Sequence, residues 1–103
     1  MNNNILVSAL KIISMDEKDQ IGYIKTILDD DNYENIDEIL LGYDNAKFLR
    51  DDYSSNVELE NMFKELEKVI DEIEDKHLFF IKYLNEPLWN EARIKAKKIL
   101  QSI

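Results

Sequence analysis

The one pairing in this chain whose spacing suggests metal chemistry is Glu74-Asp75-Lys76-His77, since Glu-x-x-His places a carboxylate and an imidazole one helical turn apart. In helical bundles that spacing serves carboxylate-bridged metal pairs, which need two copies plus two further inward-facing Glu. This sequence has one His, so His77 reads as the polar member of a helix face and no metal is expected. A calcium loop fails too, because it needs Gly at its sixth position and Glu at its twelfth. Counted from Asp29 those positions are Glu34 and Leu40, and counted from Asp31 they are Ile36 and Gly42. With no Cys and one His, a nucleophile would have to be Ser8, Ser14, Ser54, Ser55 or Ser102, none of which stands beside a recognisable base, or one of a carboxylate dyad, and no single pair stands out among so many. Gly22 and Gly42 are isolated, so there is no phosphate-cradling loop. The residues therefore predict neither an enzyme nor a cofactor.

What remains is charge. Residues 16–75 carry twenty acidic side chains against six basic ones, a net −14, whereas residues 76–103 sum to +4 and the whole chain to −9. Like-charge crowding does nothing for a fold, and its field acts on partners and on association rates. The acids are interleaved with tyrosines in one stretch. Asp29, Asp30, Asp31, Tyr33, Glu34 and Asp37 precede Asp51, Asp52 and Tyr53. Aromatic anchors among carboxylates are the composition of a protein-binding surface, and these nine residues are the candidate partner site. A net charge of −9 repels phosphate, so nucleic acid is not expected as a partner. Arg93, Lys95, Lys97 and Lys98 read instead as a counterweight to the acidic helices.

The elements that must position these side chains follow from periodicity. Two Gly, one Pro, 45% hydrophobic and 34% charged residues exclude an all-β fold and a disordered chain. The expectation is an all-α bundle of about five helices, forming a single domain over residues 1–103. Ile5, Ala9, Ile12 and Ile13 mark the first stripe, with Leu6 and Leu10 beside it. Ser14 with Glu17 predicts a capping box, opening a second helix that buries Ile21, Ile24, Ile27 and Leu28. Gly22 suggests close helix packing there. Asp29-Asp30-Asp31-Asn32 breaks the chain, and Asn35 with Glu38 caps the next helix. Gly42 could end that helix and Asp44 start a short successor, so residues 36–53 read equally as one helix or two. Ser55 with Glu58 opens the longest stripe, a central helix near 56–84. Pro87 starts the last helix, burying Leu88, Trp89, Ala92, Ala96, Ile99 and Ile103.

The N-terminus lacks the basic, then apolar, pattern of a signal peptide, and no apolar run reaches the ~18–20 residues of a membrane span. A soluble cytoplasmic protein is expected, not one of a membrane. Abundant Ile, Asn, Lys and Tyr suggest an AT-rich bacterial genome.

In size, acidity, absence of cysteine and helix pattern the whole chain resembles the immunity proteins that neutralise bacterial toxins. The resemblance assigns no individual residue. It implies a cytoplasmic inhibitor, monomeric on its own, whose carboxylates occupy the cationic site of a basic toxin domain, often a nuclease. Two rival readings accompany it. One is a helical adaptor that self-associates through residues 56–84, and the other is a metalloenzyme assembled from Glu74 and His77 across a dimer.

Overall fold

The computed structural model describes residues 3–28, 36–53 and 55–103, and within the first helix and the second it leaves undescribed the side chains of residues 3, 4, 27 and 28. Asp29–Asp31, Tyr33, Glu34, Asn35 and Ser54, all named above, lie outside the described residues. The chain forms α1 (Asn3–Ser14), α2 (Glu17–Leu28), α3 (Glu38–Ala46), α4 (Val57–Asp75) and α5 (Pro87–Ser102). Two short 3₁₀ segments, Lys47–Tyr53 and Ile81–Tyr83, follow α3 and precede α5. The fold is the all-α single-domain bundle expected. None of the described helices is long and apolar enough to cross a membrane.

α5 is the central strut. It packs on α1 along one side and α4 along the other, while α1 also crosses α3. Its stripe of Trp89, Ala92, Ala96 and Ile99 is fully buried, the two alanines letting neighbouring helices approach closely. Leu88 is only half-buried and Ile103 is exposed, so the stripe is narrower than the sequence suggested. On α1 the buried face is Leu6, Ala9, Leu10 and Ile13, which leaves Ile5 exposed. The expected stripe was rotated by about one position, because two candidate faces of similar hydrophobicity overlap in this segment.

Gly22 has open space where a Cβ would stand, so no helix packs on it. The close approach is at Gly42, where an added Cβ would meet Ala9 Cβ at 3.7 Å. Gly42 does not end α3, and Asp44 does not start a new helix. The chain continues as α-helix to Ala46 and tightens into the 3₁₀ turn to Tyr53, so residues 38–53 form one continuous element.

Neighbouring residues took over two of the expected caps. Ser14 is the last residue of α1, its hydroxyl donating to the Lys11 carbonyl, and Asp16 Oδ1 accepts the Asp19 amide at 2.8 Å. Asn56, not Ser55, caps α4, its Oδ1 accepting the Leu59 amide at 3.1 Å. Both replacements rank with serine as N-caps, so sequence position alone could not choose between them.

The stripe read as one helix over 56–84 breaks at Asp75. His77 adopts a left-handed φ of 55°, its amide donates to the Glu74 carbonyl, and the Leu78 amide reaches back to Ile73 at 3.0 Å. This is a Schellman termination with His in the position usually held by Gly. Leu78 packs on the core just beyond it, so apolar periodicity runs on past the end of the helix. The Trp89 indole N–H donates to the Leu78 carbonyl at 2.9 Å and the Ile36 amide to that of Phe79 at 2.6 Å, fixing the connector.

One polar side chain lies at the junction of these elements. Gln20, fully buried, donates its amide hydrogens to the Ile12 and Ile13 carbonyls at 3.2 and 3.0 Å. Carbonyls in a helix's last turn have no partner within the helix, so Gln20 completes α1 from α2. Its own oxygen accepts Arg93 Nε at 3.1 Å, and Arg93 also donates to the Leu84 carbonyl. Burial, opposed by Glu17 and Asp16, lowers the pKa of this guanidinium from its usual value. Arg93 is therefore half-buried, with its guanidinium engaged by Gln20 and the Leu84 carbonyl.

Candidate functional site

Two helical rows face one another across a narrow cleft. Leu40, Tyr43, Asp44 and Lys47 come from α3 and the turn after it, and Glu67, Ile70, Asp71 and Glu74 from α4. Each set has the spacing i, i+3, i+4, i+7, which gathers side chains on one helix face. The apolar members and the Tyr43 ring form the floor, and the ionisable ones form the rim. The cleft holds about 120 Å³, below the ~300–1,000 Å³ typical of small-molecule sites. It has room for the end of one side chain.

At one end Glu67 Oε2 accepts the hydroxyl of buried Tyr43 at 2.7 Å and pairs with Arg50 Nε at 2.8 Å. Burial and then Glu67 raise the Tyr43 pKa well above that of an ordinary phenol, so the hydroxyl keeps its proton. Asp44 holds Lys47 at 3.0 Å and raises its pKa. At the other end Asp71 and Glu74 make no ion pair among the described residues. Glu74 has a raised pKa, first from partial burial in the cleft and then from the charges of Asp71, Asp44 and Asp37. Carboxylates from α3 and α4 thus combine into one negative field.

Of the candidate partner residues, Asp37 is exposed at the start of α3 and contributes to that field. Asp51 and Asp52 are exposed on the 3₁₀ turn. Tyr53 is half-buried, its ring tilted 30° against Phe63 at a centroid distance of 6.1 Å, so it is held by the core. The remaining five, Asp29, Asp30, Asp31, Tyr33 and Glu34, lie outside the described residues.

The sequence reading missed Asp71 and considered Glu74 only as a metal ligand of the rival metalloenzyme reading. The signal was present, since Glu67, Asp71 and Glu74 repeat at i, i+4, i+7 along the edge of the α4 stripe. The Glu74–His77 pairing does not survive, because His77 lies beyond the end of α4. Among the described residues no three His, Asp or Glu side chains are grouped to hold a metal. A broader hollow of about 360 Å³, lined by Ile5, Ser8, Ala9, Ile12 and Gly42, contains no ionisable group.

The basic α5 is partly neutralised from within, since Lys95 Nζ pairs with Glu65 Oε1 at 3.1 Å. Comparison with protein families, curated proteins and solved structures finds no match.

Proposed function

We propose that this protein is an immunity protein, an inhibitor without enzymatic activity that binds and neutralises a basic bacterial toxin domain. The binding face is the carboxylate rim of the α3–α4 cleft together with Asp37, Asp51 and Asp52. The observation that carries the reading is the gathering of Asp44, Asp71 and Glu74 on one cleft rim, where the pKa of Glu74 is raised first by partial burial and then by the charges of Asp71, Asp44 and Asp37. These carboxylates form no part of the hydrophobic core, which is the pattern of residues kept for a partner. Helix carboxylates at i, i+3 and i+4 lie about 5–6 Å apart. A cationic groove built for polyphosphate, such as that of a nuclease, accepts such a row as a phosphate mimic. Opposed fields can raise association rates to about 10⁸–10⁹ M⁻¹s⁻¹ at low salt, the speed needed to capture a toxin in the cytoplasm before it acts.

The adaptor reading depended on a free apolar face over residues 56–84. Leu59, Phe63, Leu66, Val69, Ile70 and Ile73 of that face are buried within the single chain. No observation therefore favours it over a monomeric inhibitor.

The test is co-expression with a basic toxin domain, sought first in the adjacent reading frames. Rescue of growth and recovery of an equimolar complex are expected. Toxicity unaffected by this protein, with no complex formed, overturns the proposal.

A further inference from the structure

The acidic rim borders an apolar feature that the fold does not use. Leu41 is 40% exposed and Phe48 66% exposed, although α3 buries Ile39, Leu40, Tyr43 and Ala46 on its opposite side. Seven residues separate them, about 10 Å along a helix. The passage from α-helix to 3₁₀ turn decides what surrounds Phe48. In a 3₁₀ helix side chains at i and i+3 eclipse, so Asp51 shares the row of Phe48 and Asp52 stands beside it. Asp44, three residues after Leu41 and four before Phe48, flanks both.

The cations of this segment are engaged on other rows, Lys47 by Asp44 and Arg50 by Glu67. Asp51 and Asp52 make no ion pair among the described residues. The surface is thus a narrow apolar ridge edged by Asp51 and Asp52, which no cation of the described residues pairs, and by Asp44, which is paired with Lys47. A second copy of this chain, at net charge −9, is a poor occupant. An amphipathic helix offers apolar side chains at i, i+3/i+4 and i+7 over the same length, and Lys or Arg on its flanks would meet Asp44, Asp51 and Asp52.

We infer that the Leu41–Phe48 ridge docks a basic amphipathic helix of the partner, with Phe48 as the anchor. This rests on the reading of the protein as a binder of a basic domain, and it names the structural element of that domain and the residue that grips it.

Two synthetic helical peptides of equal positive charge separate the two ideas. One carries a Leu face flanked by Lys, and in the other Gln replaces every Leu. The Leu peptide is expected to bind the full chain at least about tenfold more tightly, the range for burying one large apolar side chain. The gain should disappear in Phe48→Ala and shrink in Leu41→Ser, both exposed positions whose folding circular dichroism can confirm. Equal affinity for the two peptides, or a gain that persists in Phe48→Ala, overturns the inference. Salt-dependent binding of the Gln peptide in that case leaves the acidic-surface reading standing, whereas binding of neither peptide overturns both.

Discussion

Arg50 Nε lies 2.8 Å from the Glu67 oxygen that also accepts the Tyr43 hydroxyl. A turn residue, a buried α3 residue and an α4 residue thereby share one carboxylate oxygen, locking the wall of the cleft. The exposed pairs elsewhere, such as Lys64–Glu60 at 3.7 Å, contribute little by comparison.

Tyr43→Phe removes one donor from a partly buried charged acceptor and is expected to cost about 1–2 kcal/mol at neutral pH, read from urea unfolding. The folded pKa of Tyr43 is raised, so its stabilising contribution is complete below the unfolded value of about 10 and is lost as pH rises above it. The gap between wild type and Tyr43→Phe should therefore narrow in alkaline solution. A gap that stays constant or widens there contradicts the assignment.

Gln20 donates to two carbonyls and accepts from a guanidinium, so neither a hydrocarbon nor a carboxylate can replace it. Gln20→Leu should cost about 3 kcal/mol, because it leaves the Ile13 carbonyl without its side-chain donor and removes the acceptor of Arg93 Nε. Gln20→Glu should also destabilise, since it puts a carboxylate against the Ile12 and Ile13 carbonyl oxygens despite the nearby Arg93. Chemical denaturation of the two variants measures both effects.

His77→Gly should stabilise the fold by up to about 1 kcal/mol, since Gly occupies the left-handed region without the Cβ penalty. His77→Ala should bring no such gain. Thermal melts of the pair separate a backbone effect from loss of the imidazole.

Glu74→Gln tests whether the acidic rim is kept at the expense of stability. Its folded pKa is raised, so the favourable contribution is present below the ordinary Glu range and is lost as pH rises through the raised value. At pH 7 the charged form opposes folding. Removing it should stabilise by about 0.2–0.5 kcal/mol, the scale of a like-charge i, i+3 pair such as Asp71–Glu74. That gain should vanish near pH 3, where both forms are neutral, while affinity for the basic partner falls at neutral pH.

The fold class was legible because sparse Gly and Pro and long 3.6-residue periodicity leave few alternatives. Element ends were less so. Leu78 and Ile81 continue the apolar rhythm beyond His77, and a left-handed histidine carries weaker sequence warning than a glycine. The rim was half visible. Asp37, Asp51 and Asp52 stood out among the acids, but Asp71 and Glu74 join them only because the fold sets residues of α3 and α4 on the two sides of one cleft, a tertiary fact that no local pattern encodes. Phe48 went unnoticed as a candidate for a related reason. It lies seven residues after Leu41, on the face opposite the one α3 buries, whereas hydrophobicity alone places it in a core.

The central claim is that carboxylates from α3 and α4 act together to capture a basic domain. Its most direct test is the association rate with a basic toxin domain that the protein neutralises on co-expression, measured across salt concentrations for wild type and for the combined Asp44→Asn, Asp71→Asn and Glu74→Gln variant. A fast wild-type rate that falls steeply with salt is expected, with a slower, flatter dependence for the variant. Identical rates and slopes for the two proteins would contradict it.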